Sequence, residues 1–360
     1  MTQEKLTQNA ISLLKQLIAT PSFSSEEDGT ALRIEKWFQA HNVAYERTQN
    51  NVWAVNMHFD RNKPTLLLNS HHDTVRPNSG YTKDPFKAIE ENGKLYGLGS
   101  NDAGGCLVSL LATFIHFYSK EDLRYNLVMV ASAEEESSGP NGLNSMLSVI
   151  PDIDVAIVGE PTLMQLAVAE KGLVVFDAEV QGTPGHAAHP NNDNAIYNTI
   201  EVLEWFQEYR FEKTSPTLGD VKMTVTQIEA GKQHNAIPAK VNLVIDVRVN
   251  DQYSNSEIAH ILEKESPCSP IVPRSLRLNS SSIPLDHELV QSGISLGRKT
   301  YGSPTLSDQS VLQCPSLKMG PGDSTRSHTA DEFIYLREIE EGIDIYIQLL
   351  EKILFKKEEK

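Results

Sequence analysis

Through residue 160 the chain sets short, continuous apolar runs against helical patterns. The runs are "NVWAVNM" (Asn51–Met57), "TLLLNS" (Thr65–Ser70), "NLVMVASA" (Asn126–Ala133) and "DVAIVG" (Asp154–Gly159). A long apolar stretch with helical spacing, "GGCLVSLLATFIHFY" (Gly104–Tyr118), separates the second run from the third. Strands that read as unbroken apolar runs are covered on both faces, so the pattern predicts an α/β domain with a mostly parallel sheet flanked by helices. The opening "MTQEKLTQNAISLLKQL" reads as an amphipathic helix.

From Gly172 the period shortens to two. In "LVVFDAEVQG", "VKMTVTQIEAG" and "KVNLVIDVRVN" apolar residues alternate with mostly polar ones, as Val241, Leu243, Ile245, Val247 and Val249 show. That is the signature of a sheet with one face wet. Helical patterns over 194–211 and 254–265 interleave with these strands. The proline-rich "SPCSPIVPRS" is expected to lead out of the unit, and a long amphipathic helix is expected over 334–355. A length of 360 residues exceeds what one core normally organises. The expected organisation is one α/β domain from 1–170 and 275–360, interrupted by an α+β domain from 171–274.

Composition narrows the partners. The chain carries 48 acidic against 32 basic residues, a formal charge of -16, which repels nucleic acid and anionic membranes. The strongest apolar stretch, Cys106 to Phe117, is too short to span a bilayer. The amino terminus lacks the basic start and small-residue cleavage site of a signal peptide. Three widely spaced cysteines form no CxxC pair, so neither a disulfide framework nor a thiolate metal site is indicated. The expectation is a cytoplasmic protein acting on small molecules or peptides. The only low-complexity segment is the tail "KKEEK".

Chemistry-bearing residues stand where the predicted strands stop. His71, His72 and Asp73 follow "TLLLNS", Glu134, Glu135 and Glu136 follow "NLVMVASA", and Glu160 follows "DVAIVG". Asp102 lies in a glycine-rich turn before a helix. In a parallel sheet those ends share one edge, where ligands bind. So many carboxylates together would repel one another unless they share protons or hold cations, and a metal site with nitrogen and oxygen ligands resolves this. Each residue alone has a plainer reading: a hydrogen-bonded surface histidine, a solvated acidic turn, or, for Asp102, a helix cap.

The order His71-x-Asp73, "GLGSNDAGG", a glutamate pair, "GEPT" and the late His328 closely resembles the co-catalytic dizinc aminoacylases and exopeptidases. That family includes acetylornithine deacetylase, succinyl-diaminopimelate desuccinylase and glutamate-releasing carboxypeptidases. The resemblance implies a zinc aminopeptidase-like catalytic domain and an inserted lid and dimerisation domain. It implies two Zn2+, with Co2+ able to substitute, and a homodimer formed through the lid. It makes His71 and Glu160 ligands of one ion, Glu136 and His328 ligands of the other, and Asp102 the carboxylate shared by both. Asp73 would orient His71, and Glu135 would be the general base. Three glutamates in "AEEE" leave two registers open, Glu135/Glu136 and Glu134/Glu135; the turn "SSGPNG" that follows favours the first. His72, one residue on along an extended strand, points away from His71 and is expected to be a supporting or surface residue.

The resemblance extends into the inserted domain. In "GTPGHAAHP", His186 would hydrogen-bond the oxygen of the tetrahedral intermediate. In "HNAIPAKVNLVIDVRV", Asn235 and Arg248 would bind the substrate carboxylate, while an Arg248 paired within its own sheet is the plainer reading. "GPGD" would bring the backbone N–H groups around Gly322 near the substrate. The resemblance further implies a cis peptide between Asp102 and Ala103. "GEPT", "AEKG", the short lid and the overall length look most like the acetylornithine deacetylase branch, which removes acetyl from an N-acetylated amino acid in arginine biosynthesis. A desuccinylase and a dizinc dipeptidase or carboxypeptidase need the same metals and base and remain alternatives. A catalytically silent metal-binding relative is the alternative of another class; the presence of every ligand position and a base counts against it. A serine hydrolase built on "GDSTRSH" lacks the G-x-S-x-G elbow.

Overall fold

The computed structural model describes residues 2–355, so the tail 356–360 lies outside the described residues. Two compact units are formed. Of the described residues, the first comprises 2–168, 282–301 and 307–355, and the second 169–281 and 302–306.

Four strands form the parallel heart of the first unit's sheet, in the order Asn126–Ser132, Thr65–His71, Val155–Val158, Ser316–Lys318. The "NVWAVNM" run contributes Asn51–Val55, which joins the same sheet antiparallel to Asn126–Ser132. Every residue of Thr65–His71 and Asn126–Ser132 is buried, as unbroken apolar runs require. Helices supply the covering layers. Gln3–Ile18 starts at the cap Thr2, which accepts the Lys5 N–H, and buries Leu6, Ala10, Leu13, Leu14 and Leu17 at helical spacing. Gly105–Phe117 is buried along nearly its whole length, and Leu336–Leu354 buries Ile339, Ile343, Tyr346 and Leu350. Each such large apolar side chain stabilises the fold by roughly 1.5–3 kcal/mol relative to exposure. The helix expected from 334 begins two residues later. Phe333–Tyr335 is instead a short strand paired with Lys94–Tyr96, because Ile334 alone is buried between two half-exposed rings, a period of two.

The second unit is a four-stranded antiparallel sheet in the order Lys222–Ala230, Lys240–Val249, Gly172–Gln181, Ile271–Pro273. Val174, Phe176, Val180, Leu243, Ile245 and Val247 form its core with Val202 and Phe206 of the helix Ala195–Glu208. A second helix, Asn255–Glu265, is opened by a capping box between Ser254 and Glu257. The proline-rich stretch does not simply lead out of the unit. Its Ile271–Pro273 pairs with Gly172–Gln181 at the sheet's edge, where a proline costs no interior ladder bond.

Among the described residues no helix is long and apolar enough to cross a membrane.

Candidate metal centre

Four parallel strands end on one edge of the first unit, and their carboxyl ends deliver the site. His71 closes the strand Thr65–His71 and is 1% exposed. Its Nδ1 faces Asp73, 3.0 Å from the backbone oxygen and 3.3 Å from Oδ1, which turns Nε2 toward the cluster. The Asp73 carboxylate also accepts the backbone N–H of Glu135 (3.0 Å) and of Glu136 (3.1 Å), and the Ser24 hydroxyl (2.7 Å). One buried aspartate thus orients an imidazole and sets the backbone of two glutamates. His72 points away, as the strand alternation requires, but into the interior: it lies between Thr30 Oγ1 (2.8 Å) and the Asn50 oxygen (2.9 Å). Burial lowers its pKa to about 4.

Asp102 lies in a turn after Gly99, and its peptide bond to Ala103 is cis, as the resemblance implies. It does not cap the following helix, whose first cap residue is Gly104. Instead its Oδ1 is 3.3 Å from His71 Nε2 and its Oδ2 is 3.7 Å from His328 Nε2. The three glutamates of "AEEE" part company. Glu134, with φ of 55°, turns its carboxylate into the following turn, where it accepts the Asn141 N–H and side-chain amide and the Ser25 hydroxyl. A Cβ on Gly139 would meet Glu134 Oε2 at 2.1 Å, so this turn needs glycine there. Glu135 and Glu136 face the cluster instead, with Glu135 Oε2 3.9 Å and Glu160 Oε1 3.7 Å from His71 Nε2. Glu136 Oε2 is 2.9 Å from His328 Nε2.

The donor atoms of His71, Asp102 and Glu136 lie within 4.8 Å of one another, as do those of His71, Glu135 and Glu160. Atoms held about 2.0–2.1 Å from a tetrahedral ion are themselves about 3.3 Å apart, so this spacing also suits shared ligation of an ion. The electrostatics agree. Burial, with Asp102 beside it, pushes the Glu160 carboxyl up to about 8, and burial raises Glu135 well above the usual carboxylate range. Burial alone would lower the His71 pKa, but hydrogen bonds to Asp102 and Asp73 outweigh it and raise it well above normal. Glu136 raises His328 to about 9. Carboxylates crowded around one buried imidazole, His71, and one exposed imidazole, His328, fit divalent cations.

Two buried carboxylates here have no counterpart in the sequence reading. Glu332 accepts the backbone N–H groups of Gly99 (3.0 Å), Asn101 (2.8 Å) and Asp102 (2.9 Å). Asp308 accepts the Ser132 hydroxyl at 2.6 Å, and burial raises its pKa to about 6. Gly322 has φ of 89°, and a Cβ there would meet Asn101 Oδ1 at 2.5 Å. Asn101 holds this loop by accepting the Asp323 N–H and donating to its carbonyl.

The remaining sequence candidates belong to the second unit. His186 sits on a two-residue ribbon opposite Ala236, and Asn235 just precedes that partner strand, its oxygen accepting the Ala187 N–H at 3.0 Å. Arg248 forms a two-pronged pair with Asp246, two residues away on its own strand, at 2.8 and 3.0 Å.

Residues 67–352 match the model of peptidase family M20/M25/M40. A succinyl-diaminopimelate desuccinylase of Rickettsia akari (strain Hartford) is 25% identical, over 96% of this chain and the whole of that protein. An acetylornithine deacetylase of Shigella sonnei (strain Ss046) is 28% identical, over 94% of this chain and 96% of its own. In fold the chain is similar to a dinuclear metal-binding M20 peptidase from Bacillus subtilis, with a TM-score of 0.76, 14% identity, and 98% and 99% of the two chains covered. An M20 metallo-carboxypeptidase from Sulfolobus solfataricus gives 0.72 at 16% identity, covering 96% and 98%. With a metal-ready cluster at the edge where the family model aligns, the chain belongs to peptidase family M20/M25/M40 and is a metal-dependent amide-bond hydrolase.

Proposed function

We propose that this chain is a two-metal deacylase that removes the acetyl group from an N-acetylated amino acid, N-acetylornithine foremost, as a step of arginine biosynthesis in the cytoplasm. Zinc is the proposed native ion, with cobalt able to replace it. The observation that carries the two-ion reading is Asp102, whose two oxygens face two different imidazoles, His71 and His328. His71 and Glu160 would hold one ion, Glu136 and His328 the other, and Asp102 both. Glu134, occupied with Asn141 and Ser25, supports the Glu135/Glu136 register. Bound there, two divalent ions supply Lewis-acid polarisation of the scissile carbonyl and lower the pKa of the attacking water. Glu135, whose carboxylate faces the cluster 3.9 Å from His71 Nε2, takes the proton from that water and returns it to the departing amine.

In the second unit, His186 Nδ1 accepts the Ala188 N–H at 3.1 Å, which leaves the proton on Nε2 and supports its assignment as donor to the developing oxyanion. Asn235, Arg248 and the backbone around Gly322 are proposed to bind the substrate. Arg248 meets Asp246 through Nε and Nη2, which leaves Nη1 for a substrate carboxylate. A homodimer through this unit is supported by the exposed apolar face of Ala195–Glu208, where Tyr197 is 70% and Ile200 57% exposed, beside the edge strand Lys222–Ala230.

The 28% identity to an acetylornithine deacetylase supports the acetyl substrate, and the 25% identity to a desuccinylase keeps succinyl-diaminopimelate as the second reading. A panel of N-acetylornithine, N-acetylcitrulline, succinyl-diaminopimelate and dipeptides decides between them. The expected result is the highest kcat/KM on the acetylated amino acids; a clear preference for the succinylated compound or for dipeptides overturns the assignment.

A further inference from the structure

We propose that Glu332 is a positioning residue for the metal centre, whose buried carboxylate fixes the Gly97–Asp102 turn and thereby the carboxylate of Asp102. The inference rests on the reading that Asp102 serves both ions. Glu332 is 2% exposed. Its Oε1 accepts the N–H groups of Asn101 and Asp102, its Oε2 that of Gly99, and its backbone oxygen that of Gly97 at 3.0 Å. Four consecutive-turn donors therefore end on one residue that is more than 200 positions away in the chain. Buried glutamates are rare unless paired, and here both oxygens meet only N–H donors. A glutamine could satisfy one side alone, because its NH2 would face an N–H on the other.

The same short segment carries His328. Asn78 donates to the His328 oxygen at 3.1 Å, and Asp331 accepts the N–H groups of Thr82 and Lys83 at 2.9 and 2.8 Å. One piece of chain, 328–332, thus presents His328 and clamps the turn of Asp102. Both Glu332 oxygens are engaged by backbone N–H groups, so it acts through the backbone of Asp102.

The test compares wild-type protein, Glu332→Gln and Glu332→Asp by amide hydrogen exchange in the metal-free state and by zinc titration. In Glu332→Gln, exchange should rise on the order of tenfold, the scale of losing one hydrogen bond, at whichever side the amide nitrogen faces, either Gly99 or the pair Asn101 and Asp102. Exchange in the strand Thr65–His71 should stay as in wild type. Zinc affinity should fall about 10–100-fold, as for residues that orient ligands. The aspartate, which keeps two acceptor oxygens but is too short to reach all three donors, should lie between the two and serves if the glutamine variant does not fold. Unchanged zinc affinity, or exchange raised equally throughout the core, overturns the proposal. Wild-type protein that takes up fewer than two ions would instead refute the two-ion reading, while the exchange data still decide whether Glu332 holds the turn.

Discussion

Asp73 accepts the backbone N–H of Glu135 at 3.0 Å while its carboxylate also faces His71 Nδ1 at 3.3 Å, so one side chain ties the first imidazole of the site to its glutamates. Every group around that carboxylate is a donor, Ser24 and Glu136 included. Asparagine would have to turn an NH2 toward one of them. Asp73→Asn is expected to weaken zinc binding about 10–100-fold, measured by competition with a chromophoric chelator. Wild-type affinity would show that the aspartate only fills space.

The three adjacent glutamates should separate by phenotype. Glu135→Gln is expected to keep both ions and lose about 10²–10⁴-fold in kcat, since an amide cannot take the water's proton. Glu136→Gln should lose metal. Glu134→Gln should bind metal normally and show a lower Tm, because its carboxylate holds the Asn141 turn. Metal analysis beside kinetics reads all three, and metal loss in Glu135→Gln with retention in Glu136→Gln would reverse the assignment.

Metal-free protein should lose stability as pH rises. Glu160 sits at about 8 against an ordinary 4.5, and His328 at about 9 against 6.5. A group that holds its proton more tightly in the folded chain stabilises the fold while protonated. The Glu160 contribution is therefore full below about 4.5 and lost through about 8, and that of His328 is full below about 6.5 and lost through about 9. Both act in the same direction. Melts in chelator should show Tm falling from about pH 6 to about pH 9, with added zinc restoring most at the alkaline end, where the ligands are deprotonated. A Tm that rises over this interval contradicts the electrostatic account.

His186→Ala should lower kcat by about 10²–10³-fold, the scale of one oxyanion donor, and leave the ion content at two. Ion loss in this variant, or an unchanged kcat, would remove His186 from the proposed machinery.

The candidate site was legible in the sequence where its residues follow buried strands. A parallel strand covered on both faces reads as a near-continuous apolar run, so the positions at which "TLLLNS", "NLVMVASA" and "DVAIVG" end mark one edge of the sheet from the sequence alone. The parallel heart of the sheet followed from the same pattern, although Asn51–Val55 proved antiparallel, a direction that an apolar run does not encode. Glu332 and Asp308 were not legible. Their partners are backbone N–H groups and a serine hydroxyl far away in the chain, and such contacts leave no periodicity. Pairing of Arg248 with Asp246 could be foreseen only as one of two options, because residues two apart on a strand share a face whether or not a ligand intervenes.

The most direct test of the central claim is to strip the protein with a chelator and titrate zinc back while following hydrolysis of N-acetylornithine and bound metal together. No turnover is expected without metal, and full activity only after about two equivalents have bound, with cobalt able to substitute. Full activity in metal-free protein, or saturation at a single equivalent with the second ion never bound, would contradict it.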